Sequence, residues 1–182
     1  PDKVTHSSVA VFRKLAEAEA RIHQADVESL HFHEVGAVDA IVDIVGACVL
    51  LEQLGIDRIC ASPLPMGHGF VDCMHGVMPL PAPAVVEILK GIPTYGVDVE
   101  AELVTPTGAA LLATLASDFG SQPRMRIAAS GYGAGSRELP HRPNLLRVLI
   151  GESDDHVREE VAIVETNIDD LSPQFYDAVM DR

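Results

Sequence analysis

The stretch HFHEVGAVDAIVDIVGACVLL, residues 31–51, runs from two histidines into a long apolar segment that also carries carboxylates. From about residue 37 to residue 54 the segment has no turn signal, and Gly55 follows it, which favours a helix over a strand. Apolar side chains occur nearly all round this helix, so we expect it to be buried at the centre of the fold.

The titratable residues of this stretch have the spacing of a metal site. In an extended lead-in His31 and His33 point the same way, and on a helix Asp39 and Asp43 share one face. Imidazole and carboxylate groups together suit divalent ions of the nickel, zinc and manganese type. We therefore predict a divalent-metal site with these candidate ligands: His31, His33, Glu34, Asp39, Asp43 and, from a later glycine-bracketed loop, His75.

Ordinary structural roles remain open for the same residues. Asp39 also fits a first-turn acid that the helix dipole favours, and His33 also fits a hydrogen-bonded core histidine. A loop histidine such as His75 is more often solvent-facing than ligating, and His68 in the same loop is the weaker candidate of the two. Clustering of titratable groups in apolar surroundings favours a functional site over these alternatives.

The composition describes an acidic, aliphatic globular protein. The 182 residues are 47% hydrophobic, contain no Trp and carry a net charge of −14. Such a charge argues against general binding to nucleic acid or to anionic membranes, both of which attract basic surfaces. Three cysteines without a CxxC spacing indicate neither a disulfide framework nor a zinc ribbon, so we expect a cytoplasmic protein in a reducing compartment.

The order of predicted helices and strands indicates an α/β domain with a mixed sheet over residues 1–150. We expect this domain to be incomplete at its N-terminus and to bind the metal and the cofactor. Residues 151–160 are expected to form an acidic linker, and residues 161–182 the beginning of a truncated C-terminal α+β domain. The remaining predicted elements are helices from Ser7 or Ser8 to about His23, from Pro83 to Lys90 and from Thr105 to about Ser117, and strands at residues 58–62, 92–99, 125–130 and 144–150.

Five ordered motifs resemble one protein family. They are HFHEVGAVDAIVDIVG (31–46), ASPLPMGHGFVDCMHGVMPLPAPA (61–84), ELVTPTGAALLATLA (102–116), GYGAGSRELPHRPNLLRV (131–148) and ETNIDDLSP (165–173). Together they are similar to the nickel insertion proteins of the lactate racemase cofactor pathway, and the resemblance runs from about residue 6 to the end of the chain.

The resemblance implies a nickel chelatase, or insertase, of the lyase class that places Ni²⁺ into pyridinium-3,5-bisthiocarboxylic acid mononucleotide. It also implies hydrolysis of CTP with Mn²⁺ or Mg²⁺ by a C-terminal domain, of which this chain holds only the beginning. The fragment is therefore expected to carry the metal or cofactor half without the CTP half. Lactate racemase is a candidate partner, and a homo-oligomer is expected.

An anionic cofactor needs a local positive site in so acidic a chain, and we predict its phosphate near residues 105–108. Thr107 as the N-cap would direct free N–H groups of a helix at the phosphate, and Arg137 would add a two-pronged contact. Helix capping, a surface ion pair and a glycine-rich hairpin remain open alternatives for these residues. The candidate cofactor-binding residues are Thr105, Thr107, Gly108, Gly131, Gly133, Gly135 and Arg137.

Two rival functions use the same ligands. A non-enzymatic metal-binding or storage module needs neither nucleotide nor organic cofactor, whereas a metal-dependent hydrolase uses the ion to activate water with one acid as general base. In an insertase, nitrogen and oxygen ligands hold Ni²⁺ until the sulfur donors of the cofactor take it up by ligand exchange. A cofactor-shaped anion site on the same face would favour the insertase, metal binding alone the storage module, and turnover of simple esters the hydrolase.

Overall fold

Helices and short strands both occur along the parts of the chain that the structure describes. The structure is a computed structural model that describes residues 2–29, 38–73, 76–139 and 142–153. The helices are α1 (Asp2–His23), α2 (Val38–Gln53), α3 (Pro83–Ile88) and α4 (Pro106–Leu115), with a short 3-10 turn at Val27–Ser29. This mixture of elements confirms the predicted α/β class.

The strands form four separate pairs within the described residues. In chain order they are β1 (Cys60–Ala61), β2 (Leu64–Met66), β3 (Phe70–Cys73), β4 (Gly76–Pro79), β5 (Thr94–Gly96), β6 (Asp118–Phe119), β7 (Met125–Ala134) and β8 (Leu145–Ser153). β1 pairs with β6 and β2 with β5 in parallel, whereas β3 with β4 and β7 with β8 are antiparallel hairpins. Both pairing directions of the predicted mixed sheet are therefore present.

The hydrophobic core lies between α1 and the other three helices. α1 contacts α2, α3 and α4, and the buried positions that repeat along it include Val11, Leu15 and Ala18. Val11 and Leu15 are fully buried in one cluster with Ala109 and Ala110 of α4. Because burying one Val or Leu side chain contributes about 1.5–3 kcal/mol, this contact accounts for much of the attraction between the helices.

α2 has nearly the predicted bounds but buries one face only. Ala40, Ile44 and Cys48, spaced four residues apart, are buried. Val38 and Val42 on the opposite side are 75% and 63% exposed. The difference from the predicted full burial arises because α2 packs against α1 and α4, and no described element covers its other side.

α1 begins well before the predicted Ser7 or Ser8 cap. Asp2 supplies an acid in its first turn, where the helix dipole favours negative charge. Ser8 instead lies inside the helix, buried, and its hydroxyl has no hydrogen-bond partner among the described residues. Within the described ranges, no helix combines the length and the apolar character that crossing a membrane requires.

The long β7–β8 hairpin differs from the sequence expectation in length. β7 runs on through residues 131–134, beyond the predicted strand end at residue 130, because Gly131 and Gly133 pair with Val148 and Leu146 of β8. β8 continues to Ser153, so three residues of the predicted acidic linker belong to a paired strand. The strands predicted at residues 58–62 and 92–99 are correspondingly shorter and contain only β1 and β5.

An ion cluster joins α1 to α3. Arg21 Nη1 lies 2.9 Å from Glu87 Oε1, and Lys90 pairs with the same carboxylate. The hydrogen bonds from Lys90 and Arg21 hold the pKa of Glu87 below the ordinary value of a glutamate, because both stabilise the ionised form. The side chain of Glu87 is 14% exposed, so the carboxylate is held against the protein surface by its two partners.

Glu87→Gln is expected to remove a pH-dependent part of the stability. A carboxyl whose pKa is lower in the folded state stabilises above its unfolded pKa, and this contribution disappears as the pH falls through the folded pKa. The variant should therefore be less stable than the parent at about pH 7 and equally stable below the pKa of Glu87, as measured by urea unfolding. Glu138→Gln, on an exposed connection, is the matched control. A difference that persists unchanged into acid would contradict the assignment.

The N-cap of α4 is Thr105, and the predicted N-cap Thr107 is wrong. The Thr105 hydroxyl accepts a hydrogen bond from Gly108 N–H over 3.2 Å, and Thr105 has an extended backbone. Pro106 occupies the first helical position, which suits its fixed φ and its lack of an N–H. Thr107 therefore lies in the first turn of the helix.

Replacing Thr105 by Ala should lower the free energy of unfolding by about 1 kcal/mol, because the Gly108 amide loses its acceptor. Thr107→Ala, two positions further on, should cost clearly less because its hydroxyl is not the cap. Chemical denaturation of both variants separates the two positions. Equal destabilisation would show that the loss reflects helix packing and not capping.

Candidate functional site

The two acids of the predicted metal site that the structure describes lie at the surface. Asp39 and Asp43 are both exposed on α2, one helical turn apart. The expectation that they are buried in an apolar helix is wrong, because they lie on the side of α2 that faces away from α1 and α4. Asp39 Oδ1 accepts a hydrogen bond from Ala40 N–H over 2.8 Å. Neither acid needs a metal to offset desolvation, and both are open to an incoming ion.

The other predicted ligands, His31, His33, Glu34 and His75, lie outside the described residues. Among the residues that are described, no group of three or more His, Cys, Asp or Glu side chains has an arrangement that could hold a metal ion. The metal site of the 31–43 stretch therefore stays a prediction, with Asp39 and Asp43 placed and exposed.

The start of α4 offers little free hydrogen-bonding capacity to a phosphate. Pro106 has no N–H, and the amide of Gly108 already donates to Thr105. Ala109 N–H donates to the Thr105 carbonyl over 2.9 Å. The Thr107 amide is the remaining donor of the first turn, and no partner for it is present in the described parts of the chain. One free amide, and not a cradle of several, is therefore available to an anion here.

The glycine-rich candidates lie in and beside β7. A Cβ added at Gly131 or Gly133 would meet no atom of the described residues within 4 Å, and both glycines make ordinary strand pairs. Gly135 follows the strand, and a Cβ there would clash with the amide of Asn144, so the Asn144 side chain would have to move. Gly131 and Gly133 therefore belong to a β-hairpin, which is one of the alternatives that the sequence leaves open. The described glycines do not form a concave loop that could bind an anion.

Arg137 lies on the exposed connection after β7. Its carbonyl accepts a hydrogen bond from Asn144 Nδ2 over 3.1 Å, and no ion pair of its guanidinium occurs among the described residues. β7 and β8 contact each other extensively, whereas no comparable contact joins their hairpin to α4 within the same described ranges. The placement of Arg137 beside residues 105–108 therefore stays a prediction.

His68, the weaker of the two loop histidines by sequence, has a defined partner. Its Nε2 lies 3.0 Å from Asp98 Oδ1, a residue 30 positions later in the chain. Its backbone N–H donates to the Val99 carbonyl over 2.9 Å, which extends the ladder of β2 and β5. The flanking glycines, Gly67 and Gly69, are the visible signal in the sequence, but the carboxylate partner is contributed by a distant loop.

One cleft of about 270 Å³ lies beside α1, α2 and the end of α4. Its lining includes buried Cys48 and Thr114, whose hydroxyl has no hydrogen-bond partner in the described ranges. Lys3 Nζ lies 3.2 Å from Glu52 Oε2, and both residues line the cleft. Among the described residues, none of the predicted metal or cofactor positions contributes to it.

Comparison with known proteins gives a consistent result. The sequence model of the family described as nickel insertion protein matches residues 1–182. A relative from Desulfitobacterium hafniense, named pyridinium-3,5-bisthiocarboxylic acid mononucleotide nickel insertion protein, is 48% identical over 189 residues, covering 100% of this chain and 47% of its own length. No solved structure matches.

Two further relatives are named as candidate nickel insertion proteins. The protein from Syntrophobacter fumaroxidans is 53% identical over 98% of this chain and 46% of its own length. The protein from Geotalea daltonii is 50% identical over 94% of this chain and 44% of its own length. The chain thus spans about half the length of the curated relatives it matches. Because the family model covers every residue, the chain belongs to the nickel insertion protein family.

Proposed function

We propose that the protein containing this chain inserts nickel into pyridinium-3,5-bisthiocarboxylic acid mononucleotide. The observation that carries the proposal is the match of the nickel insertion family to all of residues 1–182, together with the name of the half-identical relative from D. hafniense. Nickel is the substrate ion of this reaction, and the mononucleotide is its acceptor.

The proposed chemistry is an exchange of ligands around Ni²⁺. Imidazole nitrogens and carboxylate oxygens bind the ion with moderate strength, and the softer sulfur donors of the thiocarboxylates displace them. The proposed protein ligands come from His31, His33, Glu34, Asp39, Asp43 and His75. The exposure of Asp39 and Asp43 on α2 supports this proposal, because a ligand that hands its ion to another molecule must be accessible from solvent.

The phosphate of the acceptor is proposed to contact the first turn of α4 and the Arg137 guanidinium. The Thr107 amide supports the first contact, with Thr105 and Gly108 shaping the turn around it. The exposed guanidinium supports the second, because a planar fork matches two phosphate oxygens. Gly131, Gly133 and Gly135 carry Arg137 on the hairpin and are proposed to act through its placement.

Nucleotide dependence is proposed for the whole protein. CTP, with Mn²⁺ or Mg²⁺, would act through the C-terminal domain that the family resemblance implies, and the reaction would belong to the lyase class. Lactate racemase is the proposed recipient of the finished cofactor, in the cytoplasm, and the protein is proposed to be a homo-oligomer. The net charge of −14 supports local recognition of these anions by few residues rather than by a broad basic surface.

The function is tested by incubating the whole protein with nickel, CTP and the metal-free mononucleotide, followed by mass spectrometry of the small molecule. The expected product is the mononucleotide with nickel bound. Nickel retained by the protein without transfer would instead identify a storage module, and cleavage of the phosphate ester without nickel uptake would identify a hydrolase. Either result overturns the proposal.

The ligand set is tested by titration calorimetry of Ni²⁺ into the chain and its variants. His31→Ala, His33→Ala and Asp43→Asn should each weaken nickel binding on the order of tenfold, as expected for loss of a ligand or its support. His6→Ala and Asp57→Asn, at exposed positions outside the stretch, are the matched controls. Asp43→Asn should change stability by less than about 0.5 kcal/mol because the side chain is exposed. Unchanged affinity in all three folded variants would eliminate the site.

Arg137→Lys is expected to weaken binding of the metal-free mononucleotide about tenfold, or roughly 1.4 kcal/mol, because an ammonium cannot make the two-pronged contact. Its thermal stability should match that of the parent, since the guanidinium has no ion pair among the described residues. Arg142→Lys, on the same exposed connection, is the control for nonspecific charge effects. Equal affinities in the Arg137→Lys and Arg142→Lys proteins would remove Arg137 from the site.

A further inference from the structure

We propose that the outer edge of β8 is an interface between two copies of this chain, in which the two β8 strands pair antiparallel about a twofold axis at Val148. In the described part of the chain, β8 pairs with β7 along one edge and has no strand beside its other edge. The inference rests on the proposed homo-oligomer, whose interface it names, and it does not depend on nickel transfer.

β8 has the composition of a strand inside a sheet, although it lies at an edge among the described residues. β7 is rich in Gly and Ala, which are depleted in strands, whereas β8 is rich in large aliphatic residues. Its nearly continuous apolar run consists of Leu145, Leu146, Val148, Leu149 and Ile150. A long apolar edge with open backbone N–H and C=O groups is a template for pairing with a further strand.

The described helices and other strands leave the β7–β8 hairpin uncovered. Leu146 and Val148 on one face are 65% and 49% exposed, and Leu145 on the other face is 48% exposed. No residue of the hairpin belongs to the hydrophobic core cluster formed by the described residues. Because an isolated two-stranded hairpin is only marginally stable in water, a third and a fourth strand would stabilise it.

An axis at Val148 places apolar side chains opposite each other. Antiparallel pairing about this axis sets Val148 against Val148 of the second copy, and Leu146 against its Ile150. An axis one residue earlier would set two Arg147 side chains directly opposite, where like charges are destabilising. An axis one residue later would set Leu146 against Glu152. The register at Val148 is therefore favoured.

Charge also favours a second copy as the occupant of this edge. Arg142 and Arg147 lie before or within the first half of β8, and Glu152 lies near its end. Antiparallel pairing brings Glu152 of each copy diagonally across from Arg142 of the other, a separation that long side chains can span. Two copies with a net charge of −14 repel each other in general, but this edge carries more bases than acids.

The interface is tested by mild oxidation of cysteine variants of the whole protein, followed by non-reducing gel electrophoresis. Val148→Cys should cross-link two copies, because directly opposite residues have Cα atoms about 4.5–5.5 Å apart, within the range of a disulfide. Leu146→Cys is the matched control, since its side chain is more exposed but the axis keeps its two copies about 14 Å apart. The parent controls for Cys48, Cys60 and Cys73.

Sedimentation velocity of the chain of residues 1–182 measures the strength of the pairing. One pair of strands is smaller than a standard interface, so the dimer is expected at high micromolar concentration and should dissociate on dilution. Val148→Lys should weaken the dimer about tenfold, because two lysines then meet at the axis. Tyr132→Lys, which adds the same charge on exposed β7, should leave the dimer unchanged. Circular dichroism checks the fold, and if Val148→Lys does not fold, cross-linking of Val148→Cys decides.

Equal cross-linking of Val148→Cys and Leu146→Cys would overturn the interface, as would a dimer that Val148→Lys leaves intact. A monomeric whole protein whose β8 amides are protected from hydrogen exchange would also overturn it, by showing that a strand of the same molecule from outside residues 1–182 occupies the edge. A β8-paired dimer that transfers no nickel would leave the interface standing and remove nickel insertion. Nickel transfer by a monomer would do the reverse.

Discussion

The close packing of α1 against α4 is the contact on which the rest of the described structure depends. Ala109 and Ala110 are completely buried, and their short side chains let α4 approach Val11 and Leu15 of α1. The same approach places the end of α4 beside residue 59, where Ser117 N–H donates to the Ile59 carbonyl over 2.9 Å and the β1–β6 pair begins. A larger side chain at either alanine would separate the helices and, with them, the short parallel strands.

The helices can be predicted from the sequence because their signals are local. α2 and α4 have nearly the predicted bounds, and Pro83 begins α3 as expected. The predicted cap of α4 is wrong although the signal is present, since Pro106 at the first helical position identifies Thr105 as the preceding cap. β1 and β6 cannot be predicted in this way, because two-residue strands form only where tertiary packing brings residues 60 and 118 together.

In the candidate site too, features that depend on neighbouring residues in the sequence are predictable, whereas features that depend on tertiary contacts are not. Composition indicates that α2 is apolar nearly all round, but it does not tell which side of the helix contacts a neighbouring element. Burial is therefore expected for Asp39 and Asp43, whereas the structure exposes both. The glycines of β7 alternate with larger residues, a period of two that fits a strand as well as a loop. His68 and Asp98 are 30 positions apart in the chain, so no local sequence pattern predicts their hydrogen bond.

The candidate ligands that the structure describes are exposed, and exposure affects how firmly a site holds its metal ion. A structural metal site encloses its ion with four ligands and binds it too firmly for rapid release. Asp39, Asp43 and His68 all face solvent, and no described cluster of three ligands encloses an ion. Open sites of few nitrogen and oxygen donors leave their ion accessible to other ligands. Openness also leaves coordination positions free for sulfur donors, as the proposed exchange with a thiocarboxylate acceptor requires.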